Sequence, residues 1–179
     1  DSESRGLGDV YKRQDKEEEY KVKTLKTRAY GGTLSWLEAD GTDEEQTDGI
    51  VATEAIEQLE KFSKSDQNFF LAVGFFKPHT PYVAPKKYFD MYDISEIDIP
   101  QMNNEFLNTI PEPAAVSLRH KGDGKGNQYD LKKTEAQEIK RAYYATITFL
   151  DAQVGRIIKK LKKTGLDKNT TVSYTHLRA

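Results

Sequence analysis

Apolar residues first fall into a repeating pattern after the polar turn Asp40-Gly41-Thr42-Asp43. Ile50, Val51, Ile56, Leu59 and Phe62 form one stripe, which predicts an amphipathic helix running to about Lys64, with Thr47 or Asp48 as its cap. Ser65-Asp66 ends it. The pattern then changes: Asn68-Phe69-Phe70-Leu71-Ala72-Val73-Gly74-Phe75-Phe76 is a continuous apolar run between polar and proline signals. Such a run predicts a strand buried on both faces of a parallel sheet, and a helix leading into a buried strand predicts an α/β layered architecture.

From Lys77 to about Lys133 the periodicity is lost. This stretch holds six prolines and the glycine-rich segment His120-Lys121-Gly122-Asp123-Gly124-Lys125-Gly126-Asn127, with only short possible helices such as Pro85 to Met91. So long an irregular excursion is unusual in a compact domain unless it serves a site, so it is expected to form a binding surface. A second helix is predicted from about Thr134 to Thr164. Its apolar face is Ile139, Tyr143, Ile147, Leu150, Val154, Ile157 and Leu161, and Asp151 is expected to pack within it. Lys159, Lys160, Lys162 and Lys163 suit the carboxyl end of the helix dipole, and Gly165 is a stop signal. Asn169-Thr170-Thr171-Val172 then reads as the start of another buried strand. Neither end of the chain continues these patterns. The strings at 4–14 and 172–179 resemble translated sequencing-adapter DNA, so 1–14 and 173–179 are expected to be non-native and no function is drawn from His176.

Composition narrows the function classes. The chain has 179 residues, 36% of them hydrophobic, which is enough for one core. With 27 basic and 29 acidic residues and a formal charge of -2, it gives no general reason to bind nucleic acid. The absence of cysteine excludes disulfides, thiol nucleophiles and cysteine-held metals. No apolar run approaches the roughly 20 residues that span a bilayer, so no membrane partner is expected.

The sharpest local chemistry is Lys77-Pro78-His79-Thr80-Pro81-Tyr82, directly after the apolar run. In open α/β sheets ligands bind beyond the carboxyl ends of strands, where a lysine offers a point charge to an anionic ester. A histidine there can give a hydrogen bond or a proton to a leaving oxygen, and two prolines restrict the turn that presents it. The same spacing also suits a structural loop with an incidental histidine. The glycine-rich segment at 122–126 follows no strand and has no Gly-Lys-Ser/Thr, so it reads as a surface loop. Lys86, Lys87, Lys121, Lys125, Lys132 and Lys133 are candidates for a polyanionic glycan, but Asp90, Asp93, Asp123 and Asp130 lie among them and favour a mixed-charge surface. Tyr82, Tyr88 and Phe89 suit a sugar ring or, more simply, a short helix pinned to the core.

The stretch from Asn68 to Tyr82 resembles the Phe-Phe-Leu-Ala-Val-Gly-aromatic-Lys-Pro-His-x-Pro segment of sulfatases of the iduronate-2-sulfatase kind. The segment Arg141 to Arg156, with Arg141-Ala142-Tyr143-Tyr144-Ala145-Thr146 at its start, resembles the family's helix before its last metal-binding strand. Asp40 to Asp48 also fits. The resemblance implies that 15–172 is part of an alkaline-phosphatase-like α/β/α sandwich with an incomplete sheet, from an enzyme that hydrolyses sulfate esters, with a sulfated carbohydrate as substrate. It also implies a calcium ion, a formylglycine nucleophile and export to a periplasmic, extracellular or lysosomal compartment. On matching positions it gives His79 a catalytic and substrate-binding role near the leaving oxygen, and Lys77 a neighbouring substrate-binding charge. The sequence departs from the family in lacking Cys/Ser-x-Pro-x-Arg, the paired aspartates of the first metal strand and Asp-His-Gly after Val172. The chain alone is therefore expected to be inactive and, with unpaired strand edges, poorly soluble. The rival expectations are a phosphodiesterase or phosphonate hydrolase of the same superfamily, or a noncatalytic module that captures an anionic sugar.

Overall fold

The computed structural model describes residues 23–25, 34–100, 104–118 and 131–175. Strands β1 (Lys23–Leu25) and β2 (Leu34–Ala39) precede helix α1 (Thr47–Phe62). Strand β3 (Tyr82–Pro85) and helices α2 (Lys86–Phe89), α3 (Asn104–Leu107), α4 (Glu112–Leu118) and α5 (Lys133–Thr164) follow. The sheet order is β1-β2-β3, with β1 antiparallel and β2 parallel to its neighbour, and Trp36 opposite Tyr82 and Ala39 opposite Pro85. Expected readings at 1–14, 122–126 and 176–179 lie outside the described residues.

Helix α5 is the spine against which α1, α2 and β3 all pack. The core joins Trp36, Ala84, Tyr88 and Phe89 to Ala142, Ala145 and Phe149 of α5, with the Tyr88 and Phe149 rings 5.5 Å apart. Tyr88 and Phe89 thus pin the short helix to the core, as the simpler sequence reading has it. The helix ends where the sequence placed its end, with Gly165 in the left-handed conformation at φ 75° and Lys162 and Lys163 in the last turn. Lys160 pairs with Glu60, fastening α5 to the later part of α1.

Four expectations need correction. The buried residues of α5 are Ala142, Ala145, Thr146, Phe149, Gln153 and Leu161, so of the expected apolar stripe only Leu161 is buried, whereas Tyr143 and Ile147 are exposed and Ile139, Leu150, Val154 and Ile157 half-buried. Small residues let α5 approach β3 and α2 closely, and this closeness outweighs the hydrophobic pattern. Asp151 is exposed. Residues 68–76 form no ladder with a described strand, and instead of burial on both faces they alternate. Phe69, Leu71, Val73 and Phe75 are half-buried, but Phe70, Ala72 and Gly74 are exposed, so only one face of the run is covered. Asn169 to Val172 is likewise unpaired and mostly exposed.

The start of α1 also departs from expectation. Gln46 occupies the cap position without a side-chain cap bond, because Thr47 and Asp48 lie inside the helix and Asp48 bonds elsewhere. The preceding turn, Asp43–Glu45, presses directly on the helix: a Cβ on Gly49 would lie 1.6 Å from the Asp43 carbonyl oxygen. Alanine ordinarily stabilises a helix interior relative to glycine by about 1 kcal/mol. At this position the sign reverses, and Gly49→Ala is expected to lower stability by about 2 kcal/mol through forced separation of turn and helix. Urea unfolding of the variant checks this; a midpoint equal to or above that of the parent chain would mean that the turn yields freely.

Candidate functional site

The Lys77–Tyr82 segment lies between the apolar run and β3, and what positions it is a side chain from α1. Asp48 is 1% exposed, and its two carboxylate oxygens are both used. Oδ1 accepts the Phe76 N–H at 2.9 Å, and Oδ2 accepts the Lys77 N–H at 2.9 Å. A buried carboxylate is tolerated because charge-assisted bonds from backbone donors replace its water.

Beyond this clamp the chain folds back on itself. The His79 N–H donates to the Phe76 carbonyl at 3.1 Å, and the Phe76 and His79 rings lie 5.1 Å apart. Both X–Pro bonds, Lys77-Pro78 and Thr80-Pro81, are cis. The Lys77 ammonium donates to the Pro81 carbonyl at 2.7 Å and lies 5.3 Å from the centre of the Phe76 ring. It therefore closes the turn as well as carrying charge. Burial pushes its pKa down to about 8, against the opposing pull of the Asp48 charge.

His79 is exposed, and its Nδ1 lies 2.6 Å from the Thr80 carbonyl oxygen. A carbonyl only accepts, so this contact places a proton on Nδ1. Nε2 has no protein partner among the described residues. The neutral ring then offers a lone pair at Nε2, and the imidazolium offers an N–H there. For His79 to donate to an anionic ester, the ring must be protonated.

The structure thus brings His79 and Lys77 into one turn, and it adds Asp48, which the sequence offered only as a helix cap. No local pattern identifies Asp48 as a clamp, since its partners lie 28 and 29 residues away. Of the candidate glycan lysines, Lys86 pairs with Asp90 and Lys87 lies 2.7 Å from Asp43, Lys132 and Lys133 are exposed, and Lys121 and Lys125 lie outside the described residues. Among the described residues no group of three or more His, Cys, Asp or Glu side chains is placed to hold a metal ion.

The Lys77 environment gives a direct test. Its folded pKa lies below the ordinary value of 10.5, so the unfolded chain binds the extra proton between about 8 and 10.5 and stability rises with pH across that window. Reductive ¹³C-methylation followed by NMR titration is expected to show one lysine with a midpoint of about 8. If every lysine titrates near 10.5, water reaches the Lys77 amine freely and the closed turn is wrong.

Comparison with known proteins supplies the family. The family model described as Sulfatase matches residues 3–175. A sulfatase of Formosa agariphila is 35% identical over 115 residues, covering 64% of this chain and 22% of that protein. Human iduronate 2-sulfatase is 29% identical over 130 residues, covering 68% of this chain and 24% of that protein. The crystal structure of the phosphonate monoester hydrolase of Agrobacterium radiobacter superposes with a TM-score of 0.55 at 26% identity, covering 70% of this chain and 26% of that one. The chain therefore spans about a quarter of the length of these relatives. Its architecture is α/β, part of an alkaline-phosphatase-like sandwich with an incomplete sheet. The chain belongs to the sulfatase family.

Proposed function

We propose that this chain is the part of a sulfate-ester hydrolase that presents His79 to the ester, with a sulfated carbohydrate as the substrate class. The observation that carries the reading is the clamped Lys77–Pro81 turn, with an exposed imidazole whose Nδ1 is already committed, within a sulfatase-family chain. When the S–O bond breaks, the electron pair stays on the leaving oxygen. In this reading the imidazolium Nε2–H gives that oxygen its proton, while water supplies the oxygen that ends on sulfate. Lys77, two residues away, adds a positive charge next to the sulfate oxygens in its protonated state.

A calcium ion and a formylglycine nucleophile belong to the same proposal for the whole enzyme. The residues of this chain do not fit either group: it has no cysteine and no Ser-x-Pro-x-Arg, and its described residues hold no metal-binding cluster. The role proposed for this chain is therefore confined to substrate binding and proton donation. Export to a periplasmic, extracellular or lysosomal compartment is proposed on the resemblance alone. A second reading, hydrolysis of a phosphonate or phosphodiester, is favoured by the structural likeness to the phosphonate monoester hydrolase.

The test uses the full-length enzyme that carries this sequence. His79→Ala is expected to lower kcat on a sulfated monosaccharide at least about tenfold, within the range of general-acid contributions. The loss on 4-nitrophenyl sulfate is expected to be smaller, because nitrophenolate leaves without a proton. Equal losses on the two esters would remove the proton-donor role, and faster turnover of a phosphonate monoester than of any sulfate ester would support the second reading.

A further inference from the structure

Nothing in the family match or the relatives assigns a role to Asp48, whose carboxylate accepts the backbone N–H groups of both Phe76 and Lys77. We propose that Asp48 is a positioning residue, acting through His79, that sets where the imidazole stands; the proposal rests on the proton-donor reading of His79.

The geometry runs in one direction from the rigid core to the exposed ring. Asp48 is the second residue of α1, and the next residue, Gly49, is held by α5, since Arg156 donates to its carbonyl oxygen at 3.3 Å. Arg156 also donates to Thr53 one turn further along, at 2.9 Å. The carboxylate therefore stands on a helix fixed from its other side. It carries that fixity across 28 and 29 residues of sequence to two successive backbone N–H groups. From Phe76 the carbonyl receives the His79 N–H, and the Phe76 ring lies against the imidazole. Both the backbone and the ring of His79 are thus placed relative to a residue that Asp48 holds.

The chemistry of the clamp is specific to a carboxylate. Two backbone N–H donors require two acceptors, and the ionised carboxyl group supplies both. An asparagine has nearly the same shape but supplies one acceptor and one donor, so one N–H would face another. A displacement of about 1 Å in a catalytic group is enough to cost on the order of a hundredfold in rate, so a clamp of this kind is felt in turnover more than in binding.

The test is a double-mutant cycle in the full-length enzyme on a sulfated monosaccharide. Asp48→Asn is expected to lower kcat at least about tenfold with KM changed by less than about threefold. Combined with His79→Ala, it is expected to add little beyond His79→Ala alone, because a positioning residue has nothing left to position. If the two losses multiply, Asp48 does not act through His79 and the proposal fails while the reading of His79 stands. If His79→Ala alone leaves kcat unchanged, the reading of His79 fails and this proposal falls with it. Thermal unfolding is measured alongside. Should Asp48→Asn not yield a folded enzyme, Asp48→Glu keeps two acceptor oxygens on a longer stem and is put through the same cycle, with the same outcomes deciding.

Discussion

A buried carboxylate, that of Asp43, ties together the elements on which everything else rests. Its Oδ2 accepts the Tyr88 hydroxyl at 2.6 Å and the Gln153 amide at 3.1 Å. Its Oδ1 has no aligned hydrogen-bond donor but lies 2.7 Å from the Lys87 ammonium, so that contact is ionic in character. Burial pushes the Asp43 pKa up, yet the Lys87 ammonium and the hydrogen bonds from Tyr88 and Gln153 outweigh it and hold the carboxyl below its usual value. Burial and the Asp43 contact in turn push the Tyr88 hydroxyl well above the tyrosine range. Removing the donors while keeping the charge would leave an unpaired ion inside, which costs more than the bonds themselves contribute.

From this node the network continues without a break into the part of the molecule that carries the candidate site. The Gln153 carbonyl oxygen accepts Arg156 Nη1 at 2.7 Å, and Arg156 reaches Glu44 at 3.1 Å and Thr53 at 2.9 Å. The turn before α1, the start of α1, α2 and the middle of α5 are therefore one polar unit, set beside the apolar cluster around Phe149. Asp48 projects from that unit. Because Gly49 admits the Asp43 carbonyl so closely, the start of α1 has little room to shift, and the loop that Asp48 holds inherits this restraint.

Much of the scaffold was legible in the sequence, for reasons that can be named. The two long helices follow from apolar repeats and a glycine stop, signals that act over three or four residues and need no tertiary partner. Which side of α5 is buried did not follow, because burial there is decided by how closely Ala142 and Ala145 let β3 and α2 approach, not by which stripe is most apolar. The short strands β2 and β3 carry too few residues to show a period. In the candidate site, proline spacing and position made His79 and Lys77 visible. The Lys77 bond to Pro81 and the Asp48 clamp depend on where backbone groups come to lie in space, which no residue pattern records.

In the run from Phe69 to Phe76 the expected burial is met on one face only. Its composition is that of a strand covered on both faces, and its odd-numbered side chains do face a layer of helices, with Phe69 stacked on Phe62 at 4.4 Å. Its other face is open, with Phe70 92% exposed, and even the helix-facing side borders an apolar groove of about 640 Å³ lined by Phe69, Val73, Phe75, Val154, Ile157 and Leu161. Fully burying a side chain such as Phe70 is worth about 1.5–3 kcal/mol, a contribution not made here. A loop hung from an unpaired strand would ordinarily lack a fixed position, because ladder bonds are what hold such a strand in register. The Lys77–Pro81 turn escapes this dependence. The two amides at the end of the run are bonded to Asp48, so the placement of His79 is set by the helix layer and does not wait on strand pairing.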